Sequence, residues 1–264
     1  MLQKKIYLDL LKISRAKREG DINNMIPKII HYCWFGRGEM PELVQTCIAS
    51  WHTHMSDWEY RLWSEDNFDI AAAPQYVREA YEAKKYAFVS DYVRLWALEQ
   101  EGGLYMDVDF EVYKSFDDLM EQYAAFAGYE GSKKNPVMMG VLAAEAHHPW
   151  IQAMVVTYLT RNFLRGNGTL DMTPNTGYFY DWMTRQGFVA DGVEKDWNGV
   201  HIMPVECFCP GLTTGENLRC ERTYCEHKGL HSWSGNGGWK NKVLGWVSPQ
   251  MKAKLIKLKR KILG

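Results

Sequence analysis

No apolar run in the 264 residues of this chain approaches the roughly 20 needed to cross a bilayer, so no membrane-spanning helix is expected. Nor does the N-terminus hold the uninterrupted apolar core of a secretory signal. Residues 1–20 instead mix Lys4, Lys5, Asp9, Lys12, Arg15, Lys17, Arg18 and Glu19 with leucines. Residues 1–24 are therefore expected to be a short helical extension, and the protein to be cytoplasmic. An excess of charge of one sign is also missing. A formal net charge of −1 supplies no basic field to attract nucleic acid, and no nucleic-acid partner is expected. Cysteine is sparse: Cys33, Cys47, Cys207, Cys209, Cys220 and Cys225 suit free thiols in a reducing compartment. The last four lack the paired Cys-x2-Cys spacing of a zinc ribbon, which argues against structural zinc. Internal repeats and low-complexity linkers are absent too, and a hydrophobic content of 46% excludes wholesale disorder. One enzyme-sized α/β domain is the expectation.

Residues 26–34 are rich in β-branched and aromatic side chains and run into Phe35-Gly36-Arg37-Gly38, the pattern of a strand ending in a glycine loop. Such loops face ligands in open α/β sheets. Leu43, Val44, Cys47, Ile48 and Trp51 recur at helical spacing within residues 41–54, and residues 58–63 alternate as a second strand. Helices are predicted over 74–83 and 87–101, the second stopped by Gly102-Gly103, with a strand over 104–109. Further on, a strand is predicted over 137–144, helices over 150–165 and 177–185, and a late strand over 201–205. This alternation predicts a single Rossmann-like mixed sheet flanked by helices.

The chemistry concentrates in residues 87–109. Asp107 and Asp109 are two apart, so in extended backbone both project to one side, where a divalent cation could bridge them to the phosphates of a ligand. Asp91 and Arg94 are three apart on the preceding helix and share a face. As an isolated pair they would be an ordinary surface ion pair.

Taken in order, Ala87, Ser90, Asp91, Arg94, Leu98, Gly102, Gly103, Tyr105, Asp107 and Asp109 form a pattern. It resembles the glycosyltransferases with a DXD sugar-binding region, the group that includes yeast initiating mannosyltransferases and many bacterial capsule and lipopolysaccharide transferases. The resemblance implies a GT-A-like nucleotide-diphospho-sugar transferase fold over residues 25–246. It also implies a Mn²⁺ or Mg²⁺ cofactor and transfer of a hexose from a UDP- or GDP-linked donor to an oligosaccharide or lipid-linked saccharide acceptor, with retention of configuration. Residue by residue, it gives Asp109 the direct metal contact and Asp107 the ribose and the ion's water shell. Asp91 and Arg94 fall beside the donor sugar. Ser90 either adds a hydroxyl contact or packs.

The segment Ile29-Ile30-His31-Tyr32-Cys33-Trp34-Phe35-Gly36 is similar to the first strand of these enzymes and, more distantly, of the clostridial glucosylating toxins, where it borders the nucleotide base. Tyr32 and Trp34 become candidate nucleotide contacts, Trp34 as an aromatic wall or else as a core tryptophan. Tyr60-Arg61-Leu62-Trp63 looks like the family's second strand and is read as structural. Late in the chain, His227-Lys-Gly-Leu-His231-Ser232-Trp233 resembles the segment that folds back over metal and diphosphate. It nominates His227 as a third metal ligand, with His231 the competitor, and Ser232 and Trp233 as donor contacts. Gly229, Gly235, Gly237 and Gly238 suit a loop able to close. Acceptor loops are expected around residues 173–177 and His147-His148.

Residues 247–264 read differently. Lys252, Lys254, Lys257, Lys259, Arg260 and Lys261 accompany Met251, Leu255, Leu258 and Ile262 at helical spacing, with no acid after residue 250. A basic amphipathic helix is expected, docked on the domain or lying on an anionic membrane surface. Two rival functions share the Asp-x-Asp signal: a phosphatase of the haloacid dehalogenase type with Asp107 as nucleophile, and a nucleotide-sugar-binding protein without turnover.

Overall fold

A computed structural model describes residues 25–131, 136–211 and 218–229. The first strand, β1 (Ile29–Cys33), leads into α1 (Glu42–His54) and returns as β2 (Glu59–Trp63), parallel to β1 in the register Ile29 to Glu59. Two helices follow, α2 (Gln75–Glu82) and α3 (Tyr86–Glu101), and α3 feeds β3 (Gly103–Met106) on the other side of β1. After β4 (Phe110–Val112) and α4 (Asp117–Gln122) come β5 (Ala125–Tyr129) and β6 (Val137–Ala144). Next are α5 (Pro149–Thr157), α6 (Asn175–Arg185), β7 (Lys195–Trp197), β8 (Val200–Met203), the short α7 (Val205–Phe208) and β9 (Cys225–His227). Seven strands form one mixed sheet in the order β2-β1-β3-β6-β5-β8-β7, and β4 pairs with β9 in a separate two-stranded ribbon.

Alternation along the strands assigns the two faces. Tyr105, Ala127 and Ile202 enter the large core with α2, α3, α5 and α6. On the other side Phe126 packs with Phe116 and Phe208, and Tyr32 meets Trp51 of α1 edge-on. Both faces of the sheet are thus covered, which is why β3, β5 and β6 are buried along their whole length. α3 is buried on most sides because it lies between the sheet and the helices α2 and α5.

The turn from α3 into β3 explains the glycine pair. Gly102 has φ 67° and ψ −171°, a region open in practice to glycine alone, and a Cβ there would stand 2.6 Å from the Ala146 amide. Beside it, the buried His31 accepts the Trp63 indole N–H at Nδ1 (3.1 Å), so its Nε2 carries the proton donated to the Gly102 carbonyl (2.8 Å). Burial holds this imidazole below its ordinary pKa, in keeping with a neutral structural histidine.

Several predicted boundaries move. The strand expected over 104–109 ends at Met106, and residues 107–110 form a turn closed by the Phe110 amide on the Asp107 carbonyl (3.2 Å). The helix expected over 150–165 ends at Thr157 and gives way to a 3-10 turn, Tyr158–Thr160. Its last residues, Val155, Val156 and Thr157, are β-branched and poor helix formers, and the Tyr158 hydroxyl is drawn to the Asp91 carbonyl (3.2 Å) and Asn175 Oδ1 (3.0 Å). The predicted N-terminal extension and basic C-terminal helix lie outside the described residues, as do His231, Ser232 and Trp233. All six cysteines are free thiols, five of them buried. No helix among the described residues is long and apolar enough to cross a membrane.

Candidate active site

β1, β3 and β5 run the same way, since β3 is parallel to β1 and both β3 and β5 are antiparallel to β6. Their C-terminal ends therefore meet at one edge of the sheet. Trp34 follows β1 at that edge, Asp107 follows β3 and Glu130 follows β5. Open α/β sheets bind ligands at this edge, because loops leaving adjacent strands diverge there.

Arg94 is the centre of the cluster. Its side chain is only 6% exposed, and its Nη2 lies 2.9 Å from Asp91 Oδ1 and 3.4 Å from Asp107 Oδ1. The guanidinium also donates to the Met139 carbonyl of β6 and, from Nε, to the Ser90 carbonyl (3.3 Å), and it sits 4.7 Å from the centre of the Tyr105 ring. Burial works against its charge, but Asp107, Tyr105 and Asp91 more than compensate and hold its pKa above the ordinary arginine value. The pair Asp91 and Arg94 is thus a buried ion pair rather than the surface pair its spacing alone would suggest.

Burial pushes the Asp91 carboxyl up to about 6, with Arg94 opposing and Asp107 adding to the rise. Asp107 is likewise raised, first by burial and then by Asp109, against the pull of Arg94. Tyr105 donates its hydroxyl to Asp107 Oδ1 (2.7 Å), which steadies the carboxylate from within β3. Space for it comes from Gly140 on β6, where any Cβ would stand 2.9 Å from Asp107 Oδ2 and 2.9 Å from the Phe110 ring.

Asp109 reaches the site by a different route from the one predicted. Strand alternation does not align it with Asp107, because both lie in the turn after β3. Instead β4 pairs antiparallel with β9, setting Phe110 opposite His227, and the Lys228 amide donates to the Asp109 carbonyl (2.8 Å). His227 Nε2 then lies 3.1 Å from Asp109 Oδ2. Burial alone would lower the His227 pKa, but the bond to Asp109 and the nearby Asp107 raise it above the ordinary histidine value.

Two carboxylates and an imidazole make an oxygen-rich donor set suited to Mn²⁺ or Mg²⁺. Asp91 and Asp107 share the single guanidinium of Arg94, and Asp109, paired with His227, adds its charge at Asp107, an accumulation of negative charge that a divalent ion would relieve. The chemistry of these residues fits the ion. Among the described residues, no group of three or more His, Cys, Asp or Glu side chains is arranged so as to hold a metal ion.

The remaining candidates divide. Trp34 is half-buried at the site edge and donates its indole N–H to the Gly38 carbonyl (2.6 Å). Tyr32 is directed into the α1 layer against Trp51, and Ser90 turns its hydroxyl to the Tyr86 carbonyl of its own helix (3.2 Å). His147 and His148 lie at the opposite sheet edge, beyond the end of β6 that pairs with the start of β3. There His148 caps α5 and His147 pairs with Glu99 (3.0 Å). The expected acceptor segment does approach the site, for Asn175 donates to the Asp91 carbonyl (3.2 Å).

Sequence reading did not single out Tyr105 as a partner of Asp107. It also missed Glu130, whose pKa burial raises and whose charge is felt at His227. The position of Glu130 after an apolar strand was the available signal.

The sequence matches the family model described as "Capsular polysaccharide synthesis protein" over residues 1–165. An uncharacterized glycosyltransferase of Acanthamoeba polyphaga mimivirus is 28% identical over 229 residues, which cover 80% of this chain and 84% of that protein. Inositol phosphoceramide mannosyltransferase 3 of Schizosaccharomyces pombe is 28% identical over 153 residues, covering 56% of this chain and 42% of the yeast protein. Among solved structures, the PaToxG glycosyltransferase covers 70% of this chain and 80% of its own, with 17% identity and a TM-score of 0.45. A glycosyltransferase involved in glycosylation of the PBCV-1 major capsid covers 76% of this chain and 93% of its own, with 12% identity and a TM-score of 0.45. Because the family match takes in residues 1–165 of 264, the chain belongs to the capsular polysaccharide synthesis protein family, and with its mimivirus and yeast relatives it is a glycosyltransferase.

Proposed function

We propose that the protein is a metal-dependent hexosyltransferase that moves a sugar from a UDP- or GDP-linked donor to a saccharide acceptor, with retention of configuration. The observation that carries this reading is the buried cluster in which Arg94 joins Asp91 to Asp107, with Asp109 and His227 beside it at the ligand-binding edge of the sheet. Asp107, Asp109 and His227 would hold Mn²⁺ or Mg²⁺, which when bound supplies charge stabilisation for the departing diphosphate. Asp91 would accept hydroxyl bonds from the donor sugar. Arg94, whose N–H groups are taken up by Asp91, Asp107, Ser90 and Met139, orients both acids and would balance their charge. Trp34, at the end of β1, offers a face to the nucleotide base. The retaining outcome rests on the family resemblance.

The phosphatase alternative requires a free nucleophile at Asp107, and both oxygens of that carboxylate are engaged by Arg94, with Tyr105 also on Oδ1. The geometry fits a fixed acid better than an attacking one. The docking of residues 247–264 on an anionic membrane surface falls outside the described residues.

Incubating the full chain with a panel of UDP- and GDP-sugars, with Mn²⁺ or with chelator, tests the function through release of the nucleoside diphosphate. One donor is expected to turn over in the presence of metal only. Indifference to every donor, or turnover of an aryl phosphate through a phospho-aspartate at Asp107, would overturn the proposal. Saturable donor binding without turnover would favour the non-catalytic alternative.

Tyr105→Phe is a subtler probe, since it removes the single hydroxyl that steadies Asp107 Oδ1 from β3. Loss of such a supporting bond is expected to weaken the apparent Mn²⁺ affinity about 10- to 100-fold, with the donor preference unchanged. A metal titration of turnover checks it, and an unchanged midpoint would mean that Arg94 alone positions the acid.

A further inference from the structure

Arg161 follows the 3-10 turn Tyr158–Thr160, and its side chain is 92% buried, being 8% exposed. Its guanidinium lies over three tyrosine rings, 3.8 Å from the centre of Tyr178, 4.4 Å from Tyr76 and 4.7 Å from Tyr158. All three of its nitrogens are buried without a hydrogen-bond partner among the described residues, and so is the Tyr76 hydroxyl. Asp171 does not fill the gap. Its Oδ2 stays 3.8 Å away, while its Oδ1 is taken by Arg165 (2.8 Å) and the Thr173 hydroxyl (2.7 Å).

A guanidinium taken out of water needs acceptors for its five N–H groups. Ring faces offset part of the desolvation but accept none of the in-plane hydrogen bonds. The unmet donors of Arg161 and Tyr76 together match an oxyanion, which accepts several hydrogen bonds in the plane of the fork.

The cage has a definite place relative to the catalytic cluster. Tyr158, under the guanidinium, donates to the Asp91 carbonyl. Arg94 stands between Asp91 and Asp107, and Asp107 precedes the turn to Asp109 and His227. Along this series of contacts Asp91 and Arg94 stand between the cage and the expected metal ligands. Tyr178 is the half-buried ring of the three and so the side of the cage nearest solvent.

We propose that Arg161, Tyr76 and Tyr178 form an acceptor subsite for an oxyanion, a carboxylate or phosphate carried by the acceptor saccharide. This inference rests on the glycosyltransferase reading above. The two fail differently: without donor turnover the function itself falls, whereas turnover without preference for charged acceptors removes only the subsite.

Methyl glucoside, methyl glucuronide and glucose 6-phosphate serve as neutral, carboxylate and phosphate probes, with binding to the full chain followed by calorimetry in the presence of nucleoside diphosphate and Mn²⁺. At least one anionic probe is expected to bind tenfold or more tightly than the neutral one, and the better of the two names the oxyanion. Arg161→Lys, which keeps the charge but not the fork, is expected to erase most of that preference. Tyr178→Ala is expected to change the affinity for the anionic probe severalfold and that for methyl glucoside little. This second variant tests the subsite even if the arginine variant does not fold. Equal binding of all three probes, no binding of either anion, or an anionic preference untouched in both variants would overturn the proposal. So would a preference expressed only through a uronate on the nucleotide-linked donor.

Discussion

Replacing Asp109 by alanine is expected to lower metal-dependent turnover of the donor by on the order of a thousandfold or more, with the fold intact. A bound divalent ion supplies several kcal/mol of transition-state charge stabilisation, and about 4 kcal/mol corresponds to that factor. The variant should remain folded because the partner left behind is His227. An imidazole that loses its carboxylate deprotonates instead of stranding a buried charge, since the raised His227 pKa owes its direction to Asp109 and then Asp107. Turnover and thermal unfolding measured on the same preparation separate the two effects. Activity within tenfold of the parent would remove Asp109 from the proposed metal site.

Arg94→Met is expected to behave in the opposite way, as a folding variant first. Truncation leaves the largely buried Asp91 and the part-buried Asp107 with their shared cation gone. Breaking such a pair from one side costs roughly 3–5 kcal/mol, because the acids keep their desolvation and lose their compensation. For a chain of this size the melting temperature should fall by on the order of 10 °C. Adding Asp91→Asn to Arg94→Met should recover part of the loss, as one of the two stranded charges disappears. A double variant as unstable as the sum of its parts would show that Asp91 and Arg94 are not energetically coupled.

The contrast between Asp109 and Arg94 has a counterpart in the chain itself. A spacing of i, i+3 places Asp91 and Arg94 on one helix face, but an exposed pair and a buried one share that spacing. Burial of α3 between the sheet and its neighbouring helices is what turns the pair into a cluster centre. Asp107 and Asp109 were legible as neighbours, and the strand before them was legible from its apolar run. Their relative orientation was not, since the strand stops at Met106 and a turn intervenes.

Periodicity and punctuation also located β1, β2, β6 and most helices to within a few residues, because each buries a face or a whole length and so carries a pattern. Short elements such as β4, β7 and β9, three residues each, are too brief to carry one. One of them, β9, is what delivers His227. The cage around Arg161 was invisible for a related reason: its tyrosines come from α2, the 3-10 turn and α6, which no local pattern connects.

By itself, then, the sequence determined the local chemistry: a helix with Asp91 and Arg94 on one side, a glycine stop, an apolar strand and two acids after it. Those depend on residues near one another in the chain, where spacing fixes direction. Only the tertiary structure decided which charges are buried and what faces them. The pairing of β4 with β9 and the packing of α3 against its neighbours join segments far apart in sequence, and desolvation exists only once they have met.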